Sequence, residues 1–395
     1  MALVRSGARI AGALVLVTLA ACSLLGGPWT AKRKPPPPPA APPPPVAAAP
    51  VATEKFEIDA TDDDVIGVVQ VTKVGKDDTL TDIARRFNAG YEEISRANPG
   101  VDVWVPGAGR EVVVPTQYVL PDAPHEGIVV NIAEMRLYYF PPHKKGERQV
   151  VYTHPIGIGR VGWQTPGGVT KVVRKAKDPV WRPPADIIKE HRADGDNLPA
   201  VVGPGPDNPL GNRALYLGWP EYLIHGTNKP VGVGMRVSHG CMHLFPEDIM
   251  QIYDLVAIGT KVRVVNQPFV FGWHGGRLYM QAFGSLEDDR RDWQKAEQAL
   301  LAKALGARMQ ARLKELHEQV DWDLVMQLAA KPRGVPVPVT DASASIEQVI
   351  AGAPRVEDRV PDGSTWDGKT DLPMDEKTYR EIVSETQGAQ HKAGT

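Results

Sequence analysis

Cysteine is scarce in this chain: 395 residues contain two, Cys22 and Cys241. No disulfide framework can be built from so few, and none of the paired Cys or His spacings typical of structural zinc occurs. Excess charge is missing as well. The 45 Lys and Arg nearly cancel the 47 Asp and Glu, leaving a formal net charge of −2, which argues against a nucleic-acid partner. Long apolar runs are also lacking. The one conspicuous stretch, IAGALVLVTLAA at residues 10–21, is too short to span a bilayer comfortably.

Arg5 and Arg9 precede that run, so residues 1–21 read as a signal peptide. It ends in LAAC, Leu19 to Cys22, which resembles a bacterial lipobox with Cys22 as the lipidated first residue of the mature protein. Ser23 then suggests, by the same resemblance, the outer membrane; an ordinary cleaved signal peptide is the plainer alternative. Attached acyl chains anchor a protein to the membrane. Export leaves Cys241 without a partner in an oxidising compartment, either buried and inert or kept for its chemistry. Residues 22–65 form the lipidated N-terminus and a linker. Its PPPPPAAPPPPVAAAP stretch is a semi-rigid polyproline spacer of roughly 50 Å.

The remaining length leaves room for two or three domains. At residues 66–120, Leu80, Ile83, Ala84 and Phe87 share one helical face. Asp78 or Thr79 caps the start, and Asn88 to Gly90 stop the helix. A second helix, YEEISRA, ends at NPG, and strand-like VVQVTKV and REVVVP flank the pair. This βααβ pattern resembles a LysM module, a family that binds the glycan of peptidoglycan. Residues 126–266 carry short β-rich runs broken by Gly and Pro, which predict a mainly β sandwich or barrel with one helix opened by Pro246. Residues 267–285 read as a hairpin turned at Gly275 and Gly276. Residues 286–395 read as an amphipathic helical region to about residue 330, then a Pro-, Ser- and Asp-rich disordered tail.

Cys241 stands in VSHGCMHLF, between His239 and His243. With His225, these could supply zinc-compatible ligand types, but three alternating strand positions close a tetrahedron poorly. A buried filler is a second reading. A nucleophile is the third: a thiol with a pKa near ~8.5 needs a base to react at neutral pH, and His supplies one. Gly240 permits a sharp backbone approach that could aim amides at a developing oxyanion. His225, ending the apolar YLIH run, is a rigid place for a base.

HGT at 225–227 followed by SHGC at 238–241 is similar to the signature of YkuD-type L,D-transpeptidases, in their ErfK/YbiS branch. PIGIG, TPGG, DPVWRPP, NPLGNRALYL and GTKVRVV agree in order. The resemblance implies a YkuD-like β-sandwich and a periplasmic cysteine acyltransferase needing no cofactor and no metal. Cys241 would attack the carbonyl between the L-centre of diaminopimelate and terminal D-Ala in a peptidoglycan stem. His225 would be the base, oriented by the Gly226 carbonyl. Ser238 and His239 would shape the site, and the Gly240 and Cys241 amides would form the oxyanion hole. Arg236, His243, Thr227 and Asn228 would meet substrate. His243 stands where the family commonly has Arg, so a titratable group replaces a fixed charge facing substrate carboxylates.

The implied partners are peptidoglycan stems and glycan strands, a lipoprotein or outer-membrane protein acceptor, and a membrane held through the lipid anchor. The implied products are 3→3 cross-links or protein attached to peptidoglycan. A carboxypeptidase- or amidase-type hydrolase of the same bond, and a non-catalytic wall-binding lipoprotein, are the competing readings.

Overall fold

Thr79 starts the first helix through a reciprocal cap: its side chain accepts from the Asp82 amide, and Asp82 accepts from the Thr79 amide. The computed structural model describes residues 46–47, 53–58, 63–291 and 293–370. The leader, Cys22, most of the proline-rich linker and residues 371–395 lie outside the described residues. Two short strands, β1 (Val46–Ala47) and β2 (Lys55–Ile58), precede a small α+β module. The module consists of β3 (Val65–Gly67), β4 (Gln70–Lys73), α1 (Leu80–Arg86), α2 (Tyr91–Ala97), β5 (Glu111–Val114) and β6 (Gln117–Val119). Leu80, Ile83, Ala84 and Phe87 are all buried, with Ile94, Val112 and Val114, as the helical spacing requires. β4 and β5 pair antiparallel beneath the helices.

The β domain begins with β7 (Gly127–Asn131) and β8 (Arg136–Phe140), a hairpin whose turn puts Met135 at φ 61°. β9 (Gln149–Pro155), β10 (Ile158–Gly159) and β11 (Gly168–Lys177) follow, then α3 (Ala185–Ala193). β12 (Arg213–Leu217), β13 (Leu223–His225), β14 (Arg236–Ser238), β15 (Met242–His243), α4 (Pro246–Leu255) and β16 (Lys261–Val265) complete it. Nine strands hydrogen-bond in the order β15-β13-β12-β11-β16-β7-β8-β9-β2. β11 joins the two halves. Its first residues pair with β16, and its later ones pair with β12 across a register shift between Val172 and Arg174. Such an irregularity bends a strand and increases its twist. Ile128, Val130, Leu137, Leu215, Ile224 and Val262 of the strands pack with Ile249 and Ile252 of α4, so the helix closes the core on which β13 and β15 rest.

Beyond this, β17 (Phe269–His274) and β18 (Arg277–Ala282) form a hairpin with Gly275 and Gly276 at φ 55° and 75°, as two positive-φ turn positions demand. α5 (Trp293–Leu316) breaks its helical geometry at Gly306, and α6 (Trp322–Ala330) follows. The chain after Lys331, expected as a disordered tail, is ordered to Thr370. β19 (Val337–Pro338) pairs with β18, α7 (Ile346–Gly352) packs nearby, and β20 (Arg355–Val356) pairs parallel with β4. The composition of the tail favours solvation, but Val335, Val337 and Val339 bury against the hairpin and α6. Further on, Thr370 donates to Asp82, and Arg86 bonds Gly368 and Asp358. Tertiary partners far away in sequence supply the order that the tail's own residues do not encode.

The module is joined to the β domain through buried polar contacts. Arg136 of β8 makes paired bonds to Glu93 of α2 at 2.7 and 2.9 Å, and its side chain is wholly inaccessible. Arg85 of α1 pairs with Glu247 of α4 at 2.8 Å. The Tyr91 and Glu92 amides donate to the Val233 and Gly234 carbonyls.

Candidate active site

β13 and β15 run parallel, with Ile224 opposite Met242 and His225 opposite His243. Alternate strand residues share a face, so Cys241, immediately before β15, lies on the same side as His225. A tight turn delivers the cysteine. Gly240 has φ 104°, and a Cβ there would lie 2.9 Å from Tyr222 Cε1 and close to the Gln164 and Trp163 carbonyls, so only glycine fits. The turn is held from both sides. Ser238 Oγ donates to the Cys241 carbonyl at 2.6 Å, and Thr165 Oγ1 donates to the Gly240 carbonyl at 2.9 Å.

The Cys241 thiol is half-buried, packs with Leu210 and Leu223, and donates to the Glu221 carbonyl at 3.4 Å. Burial pushes it up to about 11, with the Leu223 amide pulling the other way. His225 is buried, and its Nδ1 donates to the Gly226 carbonyl at 2.6 Å. A carbonyl only accepts, so that bond leaves Nε2 as the unprotonated nitrogen of the neutral ring. Burial, with a contribution from His243, brings His225 down to about 3. Both groups are therefore uncharged at neutral pH.

His243, expected to meet substrate, is enclosed. Its ring is buried, Nε2 faces the Gly232 carbonyl at 3.1 Å, and its centroid lies 6.2 Å from that of His225. The ring also covers Gly157, where an added Cβ would fall 1.9 Å from His243 Cε1. Burial brings its pKa down to about 4. The side chain shares the face that carries His225, and the Gly157 and Gly232 backbones cover it there. Arg236 is committed as well: Nη2 pairs with Asp288 at 2.7 Å and Nε donates to the Gly159 carbonyl. Thr227 is buried and accepts from the Lys229 amide, while Asn228 is half-buried.

His239 joins a charged cluster that the sequence did not disclose. Its Nε2 is 2.8 Å from Glu190 Oε2 and 3.0 Å from Arg160 Nη2. Arg160 Nη2 also bonds Glu190 Oε1, and Trp163 meets the His239 ring edge-on at 4.8 Å. Burial works against the charge of Glu190, but Arg160 and His239 hold its carboxyl below the usual range. Burial likewise lowers His239. Glu190 comes from α3, whose only buried residue is Ile187, so no apolar period announces it. Arg160 follows PIGIG, and its backbone amide bonds the Ser238 carbonyl at 2.9 Å. With His225, His239 and His243 each engaged by different partners, these imidazoles do not converge as ligands. Among the described residues no group of three or more His, Cys, Asp or Glu is placed to hold a metal ion.

The model of the YkuD L,D-transpeptidase catalytic domain matches residues 125–264, and that of the LysM domain matches residues 72–115. The chain is 39% identical over 263 residues to the probable L,D-transpeptidase ErfK/SrfK of Salmonella typhimurium, covering 66% of this chain and 82% of that protein. It is 48% identical over 194 residues to the probable L,D-transpeptidase YcfS of Escherichia coli, covering 48% of this chain and 59% of that relative's length. Among solved structures, the catalytic domain of an Enterococcus faecium L,D-transpeptidase superposes with a TM-score of 0.28 at 23% identity, covering 37% of this chain and 100% of that one.

Proposed function

The chain belongs to the L,D-transpeptidase family, and from that premise we propose that it transfers peptidoglycan stem peptides through a thioester on Cys241. The observation that carries this reading is the placement of Cys241 and His225 on one face of paired strands, with Gly226 fixing the His225 tautomer. Nε2 of His225 takes the thiol proton as sulfur attacks the carbonyl between diaminopimelate and terminal D-Ala. A preformed thiolate is disfavoured by a thiol pushed up to about 11, so proton removal and attack are coupled.

The new S–C bond gives a tetrahedral oxyanion, which the Cys241 amide receives at the end of the glycine turn. The Gly240 amide donates to Ser238 Oγ at 3.2 Å and must leave it to join in. Collapse breaks the C–N bond, and His225 returns its proton to the leaving D-Ala amine. An acceptor amine then attacks the thioester, its C–N bond replaces C–S, and the thiol is restored. The acceptor is the free amine of a second stem or of a protein. The LysM module holds glycan strands beside this chemistry, and Cys22 carries the lipid anchor that keeps the protein at the outer membrane on its periplasmic side.

The test incubates purified protein with a tetrapeptide muropeptide and analyses the products by mass spectrometry. D-Ala release with a new 3→3 dimer, absent in Cys241→Ala, is the expected result. D-Ala or stem release with water alone as acceptor would replace the transferase with a hydrolase. Substantial transfer by Cys241→Ala would remove the mechanism.

A further inference from the structure

With His243 enclosed and Arg236 held by Asp288, the cation that contacts the nucleophile turn from its other side is Arg160. Its side chain is 29% exposed, against 14% for Arg236. It reaches His239, two residues before Cys241, and its backbone is tied to Ser238. Its Nε is buried and has no hydrogen-bond partner among the described residues, as is also true of Nη1 of Arg236, so exposure is what separates the two. What the guanidinium does hold is a carboxylate, that of Glu190 on α3.

The arrangement around His239 is internally contested. One ring nitrogen, Nε2, faces a donor in Arg160 and an acceptor in Glu190 at the same time. A single nitrogen cannot both accept and donate. Removing Arg160 to another carboxylate would resolve the conflict, leaving Nε2–H free to donate to Glu190. A guanidinium is also the group best shaped for paired recognition of a carboxylate.

We propose that Arg160 anchors a substrate carboxylate at the nucleophile turn, and that Glu190 stands in for that carboxylate while the site is empty. The proposal rests on the transpeptidase reading for the identity of the substrate. A tetrapeptide stem offers two candidate carboxylates near the scissile bond, that of the leaving D-Ala and that on the side chain of diaminopimelate. The shared chemistry is a carboxylate replacing Glu190 on one guanidinium. His239 is then a positioning residue, passing from Arg160 to Glu190 as substrate enters.

Binding of three stems to the full chain carrying Cys241→Ala tests this by calorimetry: the free acid, the D-Ala carboxamide and the diaminopimelate side-chain carboxamide. One amide should bind about tenfold more weakly than the acid, a factor equal to about 1.4 kcal/mol, and it identifies the carboxylate. Adding Arg160→Gln should weaken the free acid by a similar factor and abolish its preference over that amide. Arg160→Lys should restore part of the preference, and Glu190→Gln should tighten the free acid because the stand-in loses its charge. Arg160→Gln that keeps the acid-to-amide preference would overturn the anchor, and Glu190→Gln that weakens binding would overturn the stand-in. Turnover of the free acid by the unsubstituted protein is measured separately. Turnover without an Arg160-dependent preference sinks only this proposal, whereas an Arg160-dependent preference without turnover sinks only the transpeptidase reading.

Discussion

His225 and Cys241 are both driven toward their neutral forms by burial, His225 down to about 3 and the thiol up to about 11. A rate that depends on neutral imidazole and neutral thiol should therefore be flat over roughly pH 5 to 9. Measured kcat/KM against pH checks this, and a limb near pH 6.5 to 8 would show a pair charged in the working state. The same shifts predict stability. A His held below its ordinary 6.5 leaves the unfolded chain binding protons that the folded one refuses. Stability is then lost as pH falls from about 6.5 toward the folded values of His225 and His243. Thermal melting should show a falling Tm over that range, less steep in His243→Gln. His243→Arg, which on an exposed site would broaden the acid side of the pH profile, should here destabilise by about 2 kcal/mol or more. Gly157 and the Gly232 carbonyl leave no room for the longer cation, and a denaturation midpoint equal to wild type would contradict this. The identity of Cys241 and His225 as candidates was legible in SHGC and HGT. The enclosure of His243 was not, because Gly157 and Gly232, which cover its ring, come from other segments of the chain.

Local elements were legible wherever their signals were local. α1 combines a helical apolar face with a reciprocal Thr79–Asp82 cap, and all of it lies between Thr79 and Phe87. Thr79→Ala should cost about 1 kcal/mol in a urea melt, and an unchanged midpoint would show that tertiary packing alone holds the helix. The 275–276 hairpin was equally plain from two adjacent glycines. α3 was invisible because one buried residue, Ile187, gives no period, and its importance lies in a charged side chain. The 238–241 turn is intermediate: Gly240 announces a tight backbone, but Tyr222 and Thr165, which make the constraint, come from distant segments. Gly240→Ala should lower transfer sharply, since φ 104° and the 2.9 Å contact both resist a Cβ. Full activity in that variant would remove the turn from the mechanism.

The whole molecule is more interdependent than a string of modules suggests. Burial opposes the Arg136 charge, yet Glu93 keeps it protonated across the module boundary. Glu93→Gln should therefore cost about 3 to 5 kcal/mol, because it leaves a buried charge unpaired. Deleting residues 66–120 should impair soluble-substrate turnover as well as sacculus binding, since Arg136 and the 233–234 backbone both lose partners. Thermal melts and activity of the two variants check this, and a deletion that turns over soluble stems at the full rate would show that the β domain stands alone. The segment from Val335 to Thr370 adds a further layer, reaching from the hairpin back to α1.

The sequence by itself determined the candidate nucleophile and base, the βααβ module, the mainly β domain and the family, because short motifs and local periodicity are written in adjacent residues. Tertiary structure alone decided which His shares the thiol's side, which carboxylate each Arg holds, and that the chain from Lys331 to Thr370 is ordered. Each of those depends on partners tens to hundreds of residues away, and on burial, which sets the charge of a side chain and is a property of the folded surroundings.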